Sequence, residues 1–289
     1  MMTRLGLGLI WLLHFLPLKR LAPLGEAFGG LLYAFGRERR HIALTNLRLC
    51  YPQMDEAACE QLARAHFRAF GRSFLERGLL WWSPAGEIRR LARVDGLERV
   101  RALAGKPVIL FVPHFVGLDM GWTRLTLELD MVSIYAQQKN FYFNAALYKG
   151  RLRFGHSRLL SRQEGVRQAI RGMKEGQPFY YLPDMDYGQR DTIFVPFFNV
   201  PAATITGLSR LARMTGAAVI PCITRMLPGG EGYVVELGEP WADYPGESIE
   251  ADTLRMNAWI EQRIAEMPEQ YYWVHKRFKT RPKGEKKFY

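Results

Sequence analysis

A histidine and an aspartate five residues apart, His114 and Asp119, carry the first chemistry legible in this chain. The run before them, Pro107 to Val112, is apolar and rich in β-branched residues, and reads as a buried strand. Pro113 breaks it and helical spacing resumes after Gly117. His114 therefore falls at a strand's carboxyl end and Asp119 in the first turn of a helix. Ligands of open α/β sheets bind in the crevice at that edge. There Asp119 can turn back, accept one imidazole N–H and leave the other ring nitrogen to take a proton, the base and orienter of a catalytic triad. The helix N-terminus keeps such a carboxylate ionised. No serine or cysteine nucleophile is evident beside the pair, so a substrate group is the nucleophile, as acyl transfer to an alcohol requires. Spacing alone is weak evidence; the bland alternative is a surface-loop histidine.

Other candidates follow along the chain. Arg151 and Arg153 lie between two expected helices, and planar guanidinium forks suit phosphate or carboxylate oxygens; surface salt bridging is the alternative. Asp184 and Asp186 follow a second strand end, on the edge expected for His114. Two carboxylates so spaced can hold Mg²⁺ or Mn²⁺, as in nucleotide-sugar transferases. With no further ligands nearby, pairing with Arg151 or Arg153 around an acceptor pocket is the favoured reading, and no metal is expected. The aromatic stretch Phe194 to Phe198 is apt for an acyl groove, with Phe197 its candidate, against core packing. His66 sits near a helical apolar stripe and reads as a packed core histidine.

The elements that must position these residues alternate. Strands are expected at 107–112, 131–136, 178–182, 217–224 and 232–237. Helices are expected at 55–80, 117–129, 161–175, 203–215 and 248–267. That order argues an α/β fold, a mixed, largely parallel sheet flanked by helices. Residues 41–289 read as a single domain. Before it, residues 1–40 hold an apolar run, Leu5 to Leu18, broken by His14 and Pro17 and followed by Lys19 and Arg20. At ~1.5 Å per residue it would span roughly 20 Å, short of the ~30 Å hydrocarbon core. A signal peptide and a buried core helix compete with a membrane-embedded or interfacial anchor, the preferred reading.

Charge placement is informative. The chain carries +12, concentrated at residues 1–50 (+5), 149–174 (+7) and 271–289 (+6). Such clusters favour an anionic partner: a lipid headgroup or an acidic carrier protein. Nucleic acid is not expected, for no zinc-finger spacing or RNA-binding box is present. Tyr271 to Arg281 interleaves aromatics with cations, suiting a membrane surface; an exposed basic tail is the alternative. Cys50, Cys59 and Cys222 follow no metal spacing, and a reduced compartment is the simple reading. Walker A, dinucleotide, HExxH and GxSxG patterns are absent from the sequence.

From about Arg37 to Arg281 the chain resembles the late acyltransferases of bacterial lipid A biosynthesis, the lauroyl/myristoyl transferase family. The segments are His114 to Asp119, Gly150 to Arg153, Pro183 to Gly188, Phe194 to Phe197, Leu211 to Gly216 and Trp273 to Pro282. The resemblance implies a glycerolipid-acyltransferase-like fold at the cytoplasmic face of the bacterial inner membrane. It implies transfer from acyl carrier protein, as co-substrate and partner with no other cofactor, to a hydroxyl of a lipid A precursor of the Kdo2-lipid IVA type. The family's catalytic histidine and acid map onto His114 and Asp119, its essential arginine and aspartate onto Arg151 and Asp184. Many members have Glu at the position of Asp119. The expected mechanism has His114 as general base, Asp119 supporting it, backbone N–H groups after Pro113 holding the oxyanion, Arg151 steadying the anionic acceptor, and Asp184 fixing Arg151 or another cation. Rival readings are acylation of another membrane acceptor (a lysophospholipid or glycolipid), a metal-dependent glycosyltransferase and a non-enzymatic membrane-binding module.

Overall fold

Short apolar runs between helices become the strands of a seven-stranded sheet and a separate hairpin in the computed structural model, which describes residues 2–161 and 165–289. The strands are β1 (Ala92–Asp95), β2 (Val108–Phe111), β3 (Val132–Tyr135), β4 (Arg158–Ser161), β5 (Phe179–Tyr181), β6 (Thr192–Phe197), β7 (Val200–Ile205), β8 (Ala218–Met226) and β9 (Tyr233–Leu237). Among the described residues, seven of them pair in the order β1-β9-β8-β2-β5-β3-β4. Every pairing is parallel except β8 with β9. The expected mixed, largely parallel sheet is what the chain builds. Its middle strand, β2, is buried along its whole length, as an uninterrupted apolar run demands.

The helices are α1 (Met2–Leu13), α2 (Leu18–Phe35), α3 (Arg37–Cys50), α4 (Glu56–Leu75), α5 (Arg77–Trp82), α6 (Ala85–Leu91), α7 (Leu97–Arg101), α8 (Leu118–Leu125), α9 (Phe141–Arg151), α10 (Gly165–Lys174), α11 (Gly207–Thr215) and α12 (Ile249–Glu266). Asp55 caps α4 by accepting from the Ala58 N–H at 2.7 Å, and Ser248 caps α12 in the same way at 3.0 Å. Part of the basic helix expected at 161–175 lies outside the described residues; α10 covers 165–174.

One expected element changes its bounds. The helix expected from 203 begins at Gly207, because residues 200–205 pair with β6 as an antiparallel hairpin. Its two turn residues, Phe198 and Asn199, both have positive φ, the backbone of a tight two-residue connection. Among the described residues no helix is long and apolar enough to cross a membrane. Most of α1 is exposed along its apolar side, while α2 is packed on the rest of the fold.

Glycine makes that packing close. A Cβ on Gly71 of α4 would lie 2.4 Å from both the Gly25 carbonyl oxygen and the Gly29 nitrogen of α2, so backbone meets backbone. Neither atom belongs to a side chain that can swing aside. Gly71→Val is therefore expected to destabilise the protein by about 3 kcal/mol, the upper range for overpacking. Denaturant unfolding checks this, and an unchanged midpoint would contradict the close approach.

Candidate active site

Parallel neighbours β2 and β5 run in register, Phe111 opposite Tyr181. Each chain then continues three residues beyond its strand, one to His114 and the other to Asp184. The Val112 N–H still bonds the Tyr181 carbonyl at 2.8 Å, so the two exits stay side by side. His114 Nδ1 lies 2.6 Å from Asp184 Oδ1, and the His114 backbone N–H donates to Asp184 Oδ2 at 2.8 Å. Both oxygens of one carboxylate thus hold one residue. Asp184 is fully buried, whereas the His114 side chain keeps 19% of its surface.

Burial pushes Asp184 up, but the charge of the His114 ring, the bonds from its side chain and backbone, and Arg277 outweigh this. Its carboxyl is held below the usual range. An ionised Asp184 can only accept, which assigns the proton to Nδ1 and leaves Nε2 as the proton acceptor. A histidine–carboxylate pair does lie at the strand end, with Asp184 in place of the expected Asp119.

Asp119 does something else. Arg151 donates to its Oδ1 from Nε at 2.9 Å and also from Nη2, and Arg77 Nη2 lies 3.5 Å from Oδ2. Burial raises the Asp119 carboxyl, yet Arg151 and Arg77 bring it below its ordinary value. The expected turn-back of Asp119 onto His114 fails because two guanidiniums outcompete one imidazole for it. Nor does Asp184 fix Arg151. The cluster of Asp119, Arg151 and Arg77 keeps one positive charge in excess, with Asp119 in the first turn of α8.

Helix packing sets this cluster. A Cβ on Gly150 would sit 2.1 Å from the Trp81 ring, so α5 and α9 touch there. That contact brings Arg77, at the start of α5, towards Arg151, at the end of α9. Trp122 Nε1 donates to the Arg151 carbonyl at 2.8 Å and ties α8 to the same point. Nothing in the sequence around Arg77 singled it out; only the α5–α9 approach does.

Three other expected substrate contacts are structural. Arg153 donates to the Leu80 carbonyl at 2.9 Å and to the Ser83 carbonyl, bracing the end of α5. Asp186 accepts from the Thr280 N–H at 2.6 Å, the Thr280 hydroxyl at 2.8 Å and the Gly188 N–H at 2.9 Å. The two carboxylates of the D-x-D run therefore face separate partners, which undercuts the metal-dependent glycosyltransferase reading. Phe197 is fully buried in the core against Tyr271, Phe278 and the Arg277 guanidinium and lines no groove.

The carboxyl-terminal aromatic stretch is no surface feature. Tyr271, Trp273, Arg277 and Phe278 are buried, for the chain lies along the His114 loop. Phe115 and Tyr271 form an antiparallel bridge, and the Tyr272 N–H donates to the His114 carbonyl at 3.0 Å. Asn46 of α3 holds the far side, donating to the Trp273 and His275 carbonyls, both at 2.7 Å. Three of the amides expected to stabilise an oxyanion are engaged here too. His114 N–H serves Asp184, Phe115 N–H bonds Pro113 and Val116 N–H bonds Gln270.

His66 is the core histidine expected, its Nδ1 3.0 Å from the Glu269 carbonyl oxygen and its pKa lowered by burial to about 4. Burial, with the charge of His114 and Arg277, lowers His275 to about 4 as well. The Asp186 N–H bonds the His275 Nε2 at 3.2 Å, which requires the unprotonated nitrogen.

Comparison with known proteins places the chain in a family. The family model described as bacterial lipid A biosynthesis acyltransferase matches residues 1–280. The lipid A biosynthesis lauroyltransferase of Escherichia coli (strain K12) is 36% identical over 286 residues, covering 98% of this chain and 93% of that protein. The palmitoleoyltransferase of that strain is 32% identical over 291 residues, covering 100% and 94%. Its myristoyltransferase is 30% identical over 268 residues, covering 92% and 81%.

Two buried histidines lowered in the folded state set a pH dependence. The unfolded chain takes up their protons below about 6.5, the folded one only near 4, so stability is complete above that window and falls as pH drops through it. Each group contributes a slope of up to about 1.4 kcal/mol per pH unit. Urea unfolding at stepped pH should show this decline, shallower in His275→Gln. Constant stability from neutrality to pH 4 would contradict the buried neutral histidines.

Proposed function

This chain belongs to the bacterial lipid A biosynthesis acyltransferase family, and from that premise we propose that it moves a fatty acyl chain from acyl carrier protein to a hydroxyl of a lipid A precursor of the Kdo2-lipid IVA type. The observation that carries the mechanism is the double hydrogen bond between His114 and the buried Asp184. His114 Nε2 takes the proton of the acceptor hydroxyl as that oxygen attacks the thioester carbonyl. The carbonyl becomes a tetrahedral oxyanion and the ring an imidazolium, stabilised by Asp184 across Nδ1–H. Collapse breaks the carbon–sulfur bond, and the departing thiolate receives the proton from Nε2. The acyl ester remains on the acceptor, and no covalent enzyme intermediate forms.

Arg77 and Arg151, with Asp119 dividing their charge, bind the anionic groups of the acceptor and hold its hydroxyl toward His114. Asp119 is then a positioning residue for the two arginines. Basic runs on the surface suit the acidic carrier protein that presents the donor. The exposed apolar side of α1, followed by Lys19 and Arg20, rests in the headgroup region at the cytoplasmic face of the inner membrane. This is an interfacial attachment, in keeping with a helix too short to span.

Purified protein given acyl-carrier thioester and a tetra-acylated precursor tests the reading by mass spectrometry of the lipid product. His114→Ala, still folded, should lose about 10²–10⁴ in kcat. Arg77→Ala should raise the acceptor KM more than it lowers kcat, since it removes binding common to ground and transition states. Near-normal turnover in His114→Ala would end the proposed base role. Loss of kcat at unchanged KM in Arg77→Ala would place that residue in the chemical step instead.

A further inference from the structure

We propose that the amino-terminal end of α9 is a second membrane foot, which seats beside α1 on an anionic lipid surface and fixes the depth of the active site. This rests on the interfacial attachment proposed for α1 and adds an element remote from it in sequence. Phe141, the first residue of α9, is 76% exposed, and Tyr142 and Tyr148 also lie open to solvent. A lone exposed ring needs no explanation; a gathered apolar patch does.

The two helices form one surface. Arg4 donates to the Tyr142 hydroxyl at 2.7 Å with its guanidinium 4.3 Å over the ring, and Asn140 donates to the Thr3 hydroxyl at 2.8 Å. From this junction along its length, α1 exposes Met2, Leu5, Leu9 and Leu12. Aromatic rings beside aliphatic side chains are what the headgroup boundary accepts.

Charge selects the occupant. Residues 1–25 contain three Lys/Arg, all exposed, and no acid, and around α9 Lys139 and Lys149 stand exposed with no acid between them. A second copy of this chain would bring the same sign of charge to the contact. An acidic protein would satisfy the cations and leave open aliphatic side chains without an apolar partner. An anionic bilayer satisfies both, with Lys139 and Lys149 exposed at either end of the α9 ridge.

The consequence is positional. Arg151 lies ten residues along α9 from Phe141, a rise of about 15 Å. The same rigid helix that touches lipid at Phe141 presents Arg151 to Asp119. The site is thereby held at a set height above the headgroups, where an acceptor can reach it without leaving the bilayer.

The test compares flotation with vesicles of phosphatidylethanolamine and phosphatidylglycerol for the full chain and its variants. Phe141→Ser with Tyr142→Ser should weaken binding about tenfold or more, and added salt should weaken the wild type further. The same variant should turn over detergent-dispersed precursor within about twofold of wild type, as these rings touch nothing in the site. Phe141→Trp should keep vesicle affinity and gain emission that shifts to the blue on vesicle addition. Unchanged vesicle affinity in the double serine variant, while Leu5→Ser with Leu9→Ser loses binding, would overturn the foot and leave the α1 attachment standing. Concentration-dependent dimers abolished by the double variant would overturn it in favour of a second copy. Wild type that binds vesicles but acylates no lipid A precursor would instead sink the catalytic reading.

Discussion

A carboxylate sealed from water must be satisfied by what surrounds it, and here one residue does most of the satisfying. Asp184 gives one oxygen to the ring of His114 and the other to its backbone N–H. Leaving such a group unpaired would cost several kcal/mol, so the pair holds loop, ring and tautomer together. The parallel register of β2 and β5 makes it possible, since both chains leave the sheet at the same edge three residues before the interaction. Position and tautomer of the imidazole both follow from that one contact.

The second carboxylate shows how neighbouring aspartates can divide labour. Asp119 is partly open and held by two arginines delivered from α5 and α9. An aspartate with two guanidiniums leaves a positive surface, suited to an anionic substrate group and unsuited to a proton relay. The carboxyl-terminal segment seals the arrangement from behind, with Tyr271 bridged to Phe115 and Asp186 tied to Thr280. Its aromatics and Arg277 pack inside, while its lysines lie toward the surface.

Much of the scaffold was legible in the sequence. The uninterrupted apolar run before Pro113 identified the central strand, and placing Asp184 beyond a second strand end set both residues on one edge. The pairing was not legible, because spacing favours a partner five residues away and Asp184 is seventy away. Choosing between Asp119 and Asp184 required knowing where Arg77 lies, and an arginine in an apolar stretch carries no signal of its own. Arg153, Asp186 and Phe197 have the right types for substrate contact but spend their groups on backbone carbonyls, on Thr280 and on the core. The β6–β7 hairpin was hidden by alanines and threonines that suit helix and strand alike. His66, by contrast, behaves as its place beside an apolar stripe suggested.

The identity of the carboxylate that holds His114 is open to direct observation by proton and nitrogen NMR of histidine-labelled protein. The wild type should show His114 protonated at Nδ1, with a proton shifted downfield by its bond to a carboxylate. That resonance should vanish in Asp184→Asn and persist in Asp119→Asn. Persistence in Asp184→Asn with loss in Asp119→Asn would contradict the account at its foundation.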